Sequence, residues 1–170
     1  MYRVPVTVEK AKFLKELWKS TFPEASMFLD YVSNACRGGP ATLVLPRSGL
    51  VRGGLRYTQY ANTLFQAPGA SIAKWAGWKI AERCFVDRRS AMFGSRIVIF
   101  GHDEFVLESR EDVAPEAGED LSQTMVSAAR EWLPGVKIEA PPQLHRFYSK
   151  DADTVREPGG RLKIWEPKAA

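Results

Sequence analysis

The chain has 170 residues, 45% of them hydrophobic and 26% charged. That balance fits an ordinary globular protein of about one domain and excludes disorder, collagen and coiled coil. No apolar run reaches the roughly 18–20 residues of a membrane span. The opening MYRVPVTVEKAKF lacks an apolar signal core, so a cytoplasmic chain with no membrane partner is expected. The net charge of +4 is unevenly spread: residues 1–100 carry 15 Lys/Arg against 6 Asp/Glu, and residues 101–170 carry 9 against 14. A basic first part invites a polyanion, although solvated charge with no partner fits as well.

Along the chain, Val8, Ala11, Leu14, Leu17 and Trp18 recur at helical spacing, which predicts an amphipathic helix over 7–19 with Thr7 as N-cap. Pro23 interrupts, and a second helix is expected over 24–37 with Phe28, Tyr31, Val32 and Ala35 as its apolar stripe. Gly38-Gly39-Pro40 ends it. Residues 41–46 and 50–55 flank Arg47-Ser48-Gly49 and read as a hairpin with a glycine turn. The stretch 57–87 has no strand alternation and predicts a helix that Pro68-Gly69 splits or kinks.

Residues 96–100 and 104–108 read as two short strands around Gly101-His102-Asp103, the first apolar enough to be buried. A helix is expected over 116–133 and a strand over 136–140; the remainder reads as a loosely held tail over 151–170. Trp75, Trp78 and Trp132 sit at helical spacing and are expected in the core. Cys36 and Cys84 are too few for a disulfide framework and read as two small buried thiols. Helices around hairpins give an α+β fold, with an antiparallel sheet covered on one face.

Two groups of residues carry possible chemistry. His102, Asp103 and Glu104 are consecutive polar residues between apolar strands. They are either an exposed polar turn or a site where a divalent cation relieves the repulsion between adjacent carboxylates, with oxygen ligands favouring Mg²⁺ or Mn²⁺. Asn62 and Gln66 are four apart on one helix face. They either cap and solvate the helix or meet base edges as amides that both donate and accept. Arg47, Arg52 and Arg56 precede them and Lys74 follows, as candidate phosphate contacts. His145 is isolated and reads as a surface histidine.

Together these segments resemble the C-terminal part of the palm of family A DNA polymerases, the DNA polymerase I-like enzymes. Ile99-Phe100-Gly101-His102-Asp103-Glu104-Phe105-Val106-Leu107-Glu108 is similar to that family's motif C, and Asn62 to Ile72 is similar to its asparagine–glutamine helix. Gln66 and Asp103 stand 37 positions apart, in the family's order. Pro23-Glu24 after a helix and the Arg47-Ser48-Gly49 turn also resemble the family, so the likeness covers about residues 5–150. Ala67 and Pro68 depart from the pattern, as do Ser71, where an aspartate is common, and Thr58, where an arginine is common.

The resemblance implies a motif C hairpin packed against several helices, over residues 1–150 as a palm fragment. It implies Asp103 and Glu104 as catalytic Mg²⁺ ligands, with His102 near the primer terminus. Asn62 and Gln66 would meet the minor groove of primer-template DNA, with Arg52, Arg56 and Lys74 on phosphates. Deoxynucleoside triphosphates would be the substrates of a two-metal nucleotidyl transfer. The family's first catalytic aspartate and its fingers helix have no counterpart. Asp30-Tyr31-Val32-Ser33 imitates the first motif but lies in a helical pattern, too near Gln66 to leave room for fingers. A second polypeptide carrying those parts is therefore expected, and this chain alone is expected to be inactive. The competing expectation is a DNA-binding palm remnant without catalysis.

Overall fold

A computed structural model describes residues 5–167. The chain divides into two compact units, Met1–Pro68 and Gly69–Ala170, where length alone predicts one domain.

The first unit opens with α1 (Val8–Thr21), capped by the Thr7 hydroxyl, which accepts from the Lys10 N–H at 3.3 Å. α2 (Pro23–Ala35) follows at once. Pro23 starts this helix rather than merely interrupting, because the first turn needs no N–H from it and its fixed φ suits the entry. β1 (Ala41–Leu45) and β2 (Leu50–Leu55) form the expected antiparallel hairpin. Gly49 takes the left-handed φ of 68° that its turn requires. A bulge opposite Thr42 is accommodated by Gly53 and by Gly54 at φ 71°.

Val32, Leu43, Leu55 and Tyr60 make the small core of this unit, with Phe28, Cys36, Ala41, Leu45, Ala61 and Leu64 packed around it. α1 contributes no buried residue. Its Phe13, Leu14, Leu17 and Trp18 are exposed, so its periodicity specifies a helix without providing a cover for the apolar stripe.

α3 (Tyr57–Phe85) runs without a break through Pro68, so the expected split does not occur. Proline removes one N–H and crowds the carbonyl four residues back, and the boundary between the compact units falls at this point. In the second unit, Ala76, Ile80 and Cys84 line one stripe of α3 at four-residue spacing. They pack with Met92, with Phe105 of β4 (Glu104–Glu108), and with Ala117 and Ala128 of α4 (Ala114–Trp132).

The tryptophans do not fill this core. Trp78 is 67% exposed and Trp75 38%, because small Ala76 and branched Ile80 occupy the face that meets the hairpin and α4. Trp75 instead donates its indole N–H to Glu131 at 2.8 Å. Lys79 pairs with the same carboxylate at 3.0 Å and lies 5.0 Å over the Trp75 ring.

β3 (Arg96–Gly101) pairs antiparallel with β4. The first strand was expected to be buried, yet Val98 is 52% and Ile99 42% exposed. The ribbon has two strands only, and the helical core covers the side that carries Phe105. The predicted single sheet is thus replaced, among the described residues, by three separate two-stranded ribbons, β1–β2, β3–β4 and β5–β6. The architecture remains α+β with four helices.

The strand expected over 136–140 is not formed. Its alternation is there, but no neighbouring strand pairs with it. The expected loose tail is pinned instead. β5 (Val155–Arg156) and β6 (Leu162–Lys163) form a short hairpin. Leu162 is only 2% exposed, seated where Gly118 of α4 leaves room: a Cβ there would lie 3.1 Å from the leucine. Arg161 pairs with Glu116 at 3.1 Å and Arg156 with Glu119. No helix among the described residues is long and apolar enough to cross a membrane.

Candidate functional site

The β3–β4 hairpin closes with the pair Gly101 and Glu104, so His102 and Asp103 are its two-residue turn. Tight hairpin turns of this length need a positive φ at a central position to match strand twist. His102 supplies it at φ 53°, one of the few non-glycine types enriched in that region. The result is a tip with His102, Asp103 and Glu104 all exposed.

The tip is held from behind by the next residue. Alternation along β4 turns Phe105 inward as Glu104 turns outward. Phe105 stacks on Phe100 at 4.6 Å between ring centres and packs into the core beside Gly77. At the open end of the hairpin, the hydroxyls of Ser95 and Ser109 meet at 2.7 Å.

Asp103 makes no side-chain hydrogen bond or ion pair among the described residues. Glu104 differs: its Oε2 accepts the Tyr148 hydroxyl at 3.2 Å. Partial burial and the acceptor carboxylate push the Tyr148 phenol up, so it stays a donor. His145 is half-buried and meets the Tyr148 ring edge-on at 5.9 Å. Sequence reading missed Tyr148 altogether. It stands 44 positions from Glu104 in a segment without periodicity, where nothing signals a long-range contact.

A Mg²⁺ ion is commonly held by one or two carboxylates, with substrate phosphates and water completing its octahedron. Asp103 and Glu104 are two exposed carboxylates side by side at the tip. No group of three His, Cys, Asp or Glu residues suited to a metal is assembled among the described residues.

Asn62, Gln66, Arg52 and Arg56 belong to the first compact unit, while Lys74, His102, Asp103 and Glu104 belong to the second. In the first, Asn62 and Gln66 are both exposed on α3, while Tyr60 and Thr63 turn inward. Arg52 is brought to the helix by a 3.1 Å bond from its Nη1 to the Thr63 hydroxyl. That hydroxyl donates in turn to the Gln59 carbonyl at 2.7 Å. Arg56 precedes α3, and its backbone N–H is satisfied by Gln59 Oε1 at 3.0 Å, half of a capping box. Its guanidinium is thereby left at the surface. Lys74 is exposed in the second unit.

A polar network that sequence reading also missed joins α3, α4 and the 86–95 connection. Asp120 on α4 accepts from Arg83 at 2.6 Å and from the Ser90 hydroxyl at 2.8 Å. The Ser90 hydroxyl also receives the Met92 N–H at 3.0 Å. This fixes the 86–95 connection between α3 and β3, so the hairpin starts from a set position. Burial first, and Asp120 second, push the nearby Cys84 thiol up.

No family model matches the chain, and neither a curated protein nor a solved structure matches it.

Proposed function

We propose that this chain supplies the C-terminal palm portion of a family A DNA polymerase. It would act in DNA-templated nucleotidyl transfer only together with a second polypeptide. The observation that carries the reading is the His102-Asp103-Glu104 tip, an exposed carboxylate turn on a hairpin anchored by Phe105. The segment that resembles motif C forms a hairpin turn, and this supports the reading.

In this reading Asp103 is a Mg²⁺ ligand and Glu104 assists. The second polypeptide brings the other carboxylate and the fingers. When bound, the metal pair would activate the primer 3′-hydroxyl and neutralise charge on the leaving pyrophosphate. Asn62 and Gln66 offer amides to minor-groove acceptors that are alike across base pairs. Arg52, Arg56 and Lys74 offer cations to phosphates. The test is primer extension by the chain mixed with a polypeptide covering the first aspartate and fingers of such a polymerase. Extension is expected with wild type and lost with Asp103→Ala. Equal extension by both would sink the assignment.

A second reading is a DNA-binding palm remnant without catalysis. What favours it is the solitary Asp103 carboxylate, with no third ligand gathered near it among the described residues. It predicts salt-sensitive binding of duplex DNA that needs Arg52 or Arg56 and is indifferent to Asp103→Ala.

A further inference from the structure

α1 is amphipathic, yet its own unit does not use its apolar side. The helix buries no residue, and the core built on Val32, Leu43, Leu55 and Tyr60 draws nothing from it. At about 100° per residue, Phe13, Leu17, Leu14, Trp18 and Ala11 share one arc of about 160°, with Lys10 of the first turn inside it. Lys12, Lys15, Lys19, Glu9 and Glu16 fall on the opposite side, together with Val8. Phe13, Leu14, Leu17 and Trp18 are all exposed. The Trp18 ring meets Phe22 at 6.0 Å, and Phe22 is exposed as well, so the patch continues past the helix end. We propose that α1 lies flat on an anionic lipid surface, with this stripe at the level of the acyl chains and its lysines among the headgroups. The inference goes beyond the polymerase reading and does not depend on it.

Charge favours this occupant. Residues 1–68, the first unit, carry 9 Lys/Arg against 4 Asp/Glu. On α1 itself Lys10, Lys12, Lys15 and Lys19 outnumber Glu9 and Glu16. Lys19 pairs with Glu16 at 3.7 Å, while the side chains of Lys10, Lys12 and Lys15 have no ion pair among the described residues. A lysine-rich polar face opposite Phe, Leu and Trp is the pattern of an interfacial helix. Lys10 can lay its stem along the stripe and raise its ammonium to the headgroups. Glu9 and Glu16 remain on the water side. The stripe suits a second copy less well. Two paired helices share a narrow seam, and 14 residues fall short of the roughly three or four heptads of a coiled coil. A polyanion such as DNA would use the lysines and leave the stripe in water; an anionic bilayer takes both. The expectation of no membrane partner drew on the lack of a span, which an interfacial helix does not need.

The experiment is co-sedimentation of the full chain with vesicles of phosphatidylglycerol and phosphatidylcholine in equal parts, beside vesicles of phosphatidylcholine alone. Wild type is expected to bind the anionic vesicles, less tightly as salt rises, and the neutral ones far more weakly. Leu14→Glu with Leu17→Glu is expected to weaken binding more than about 10-fold. Both leucines are exposed, so the melting temperature should not change. Lys12→Gln with Lys15→Gln, which keeps the stripe, is expected to weaken binding about 10–30-fold at low salt. No binding to anionic vesicles overturns the proposal. Wild-type binding by the Leu14→Glu, Leu17→Glu variant overturns it too, because cations elsewhere on the chain would then hold the surface. Equal binding of wild type to neutral and anionic vesicles removes the role of the lysines and overturns the choice of lipid. A dimer in sedimentation equilibrium that the leucine variant dissolves, without vesicle binding, assigns the stripe to a second copy instead.

Discussion

A methyl group on Gly77 would lie 3.2 Å from two ring carbons of Phe105. The absence of a side chain at this helix position lets the β3–β4 hairpin sit close against α3, with Phe105 only 9% exposed. Gly77→Val is therefore expected to lower stability by about 1–3 kcal/mol through overpacking, measured by urea unfolding. Phe105→Leu in the same background is expected to recover part of the loss, because the smaller side chain vacates the contested space. If Gly77→Val unfolds like wild type, the close packing does not constrain the hairpin.

Asp120 joins Arg83 and Ser90 in one half-buried network. Asp120→Asn is expected to cost about 1–3 kcal/mol, since a charged acceptor is lost and its donors keep poor partners. Ser90→Ala should cost less, about 0.5–1.5 kcal/mol. A double-mutant cycle in chemical denaturation checks that the two losses are not additive.

The two thiols should be told apart by reactivity. Both are free; Cys84 is buried and Cys36 only partly so. Burial also raises the Cys84 thiol, reducing its reactive thiolate. A disulfide exchange reagent should thus modify Cys36 in the folded chain and Cys84 only as the chain unfolds. Mass mapping of the first-labelled cysteine decides it.

Tyr60 is pushed up from 10.0 to about 12, chiefly by its hydrogen bond with Tyr31 and then by burial. The hydroxyls lie 3.4 Å apart. Between these values the unfolded state gives up the proton while the folded state keeps it. The stabilisation is complete below pH 10.0 and declines toward about pH 12. Unfolding free energy followed through this window should fall with pH, and Tyr31→Phe should flatten that slope. A slope untouched by Tyr31→Phe would show that the pair does not couple.

Arg52 and Arg56 bear on nucleic-acid contact as proposed above. Each replaced by Ala should reduce the slope of log affinity against log salt by about 1 and weaken duplex binding regardless of sequence. Arg56→Ala should leave the fold intact, because α3 begins on the Arg56 backbone N–H rather than its side chain. Unchanged slopes in fluorescence anisotropy titrations would remove both residues from the interface.

Most helices and turns were legible from local physics. Thr7 caps α1 through its own hydroxyl, Gly49 makes the turn that only a positive φ allows, and His102-Asp103 emerge as the tip between two β-prone runs. Such features depend on dihedral preferences and hydrogen bonds a few residues long, so the sequence itself determines them. Tertiary structure alone decided what each element faces. The apolar run of β3 looked buried, yet only one side of a two-stranded ribbon is covered. Residues 136–140 alternate like a strand and pair with nothing. The polar, glycine-rich C-terminus looked loose but is pinned by Leu162 over Gly118. Tyr148 reaches Glu104 across 44 positions. Burial, pairing and long-range hydrogen bonds depend on which surfaces meet after folding, and periodicity along a chain records only that a surface exists.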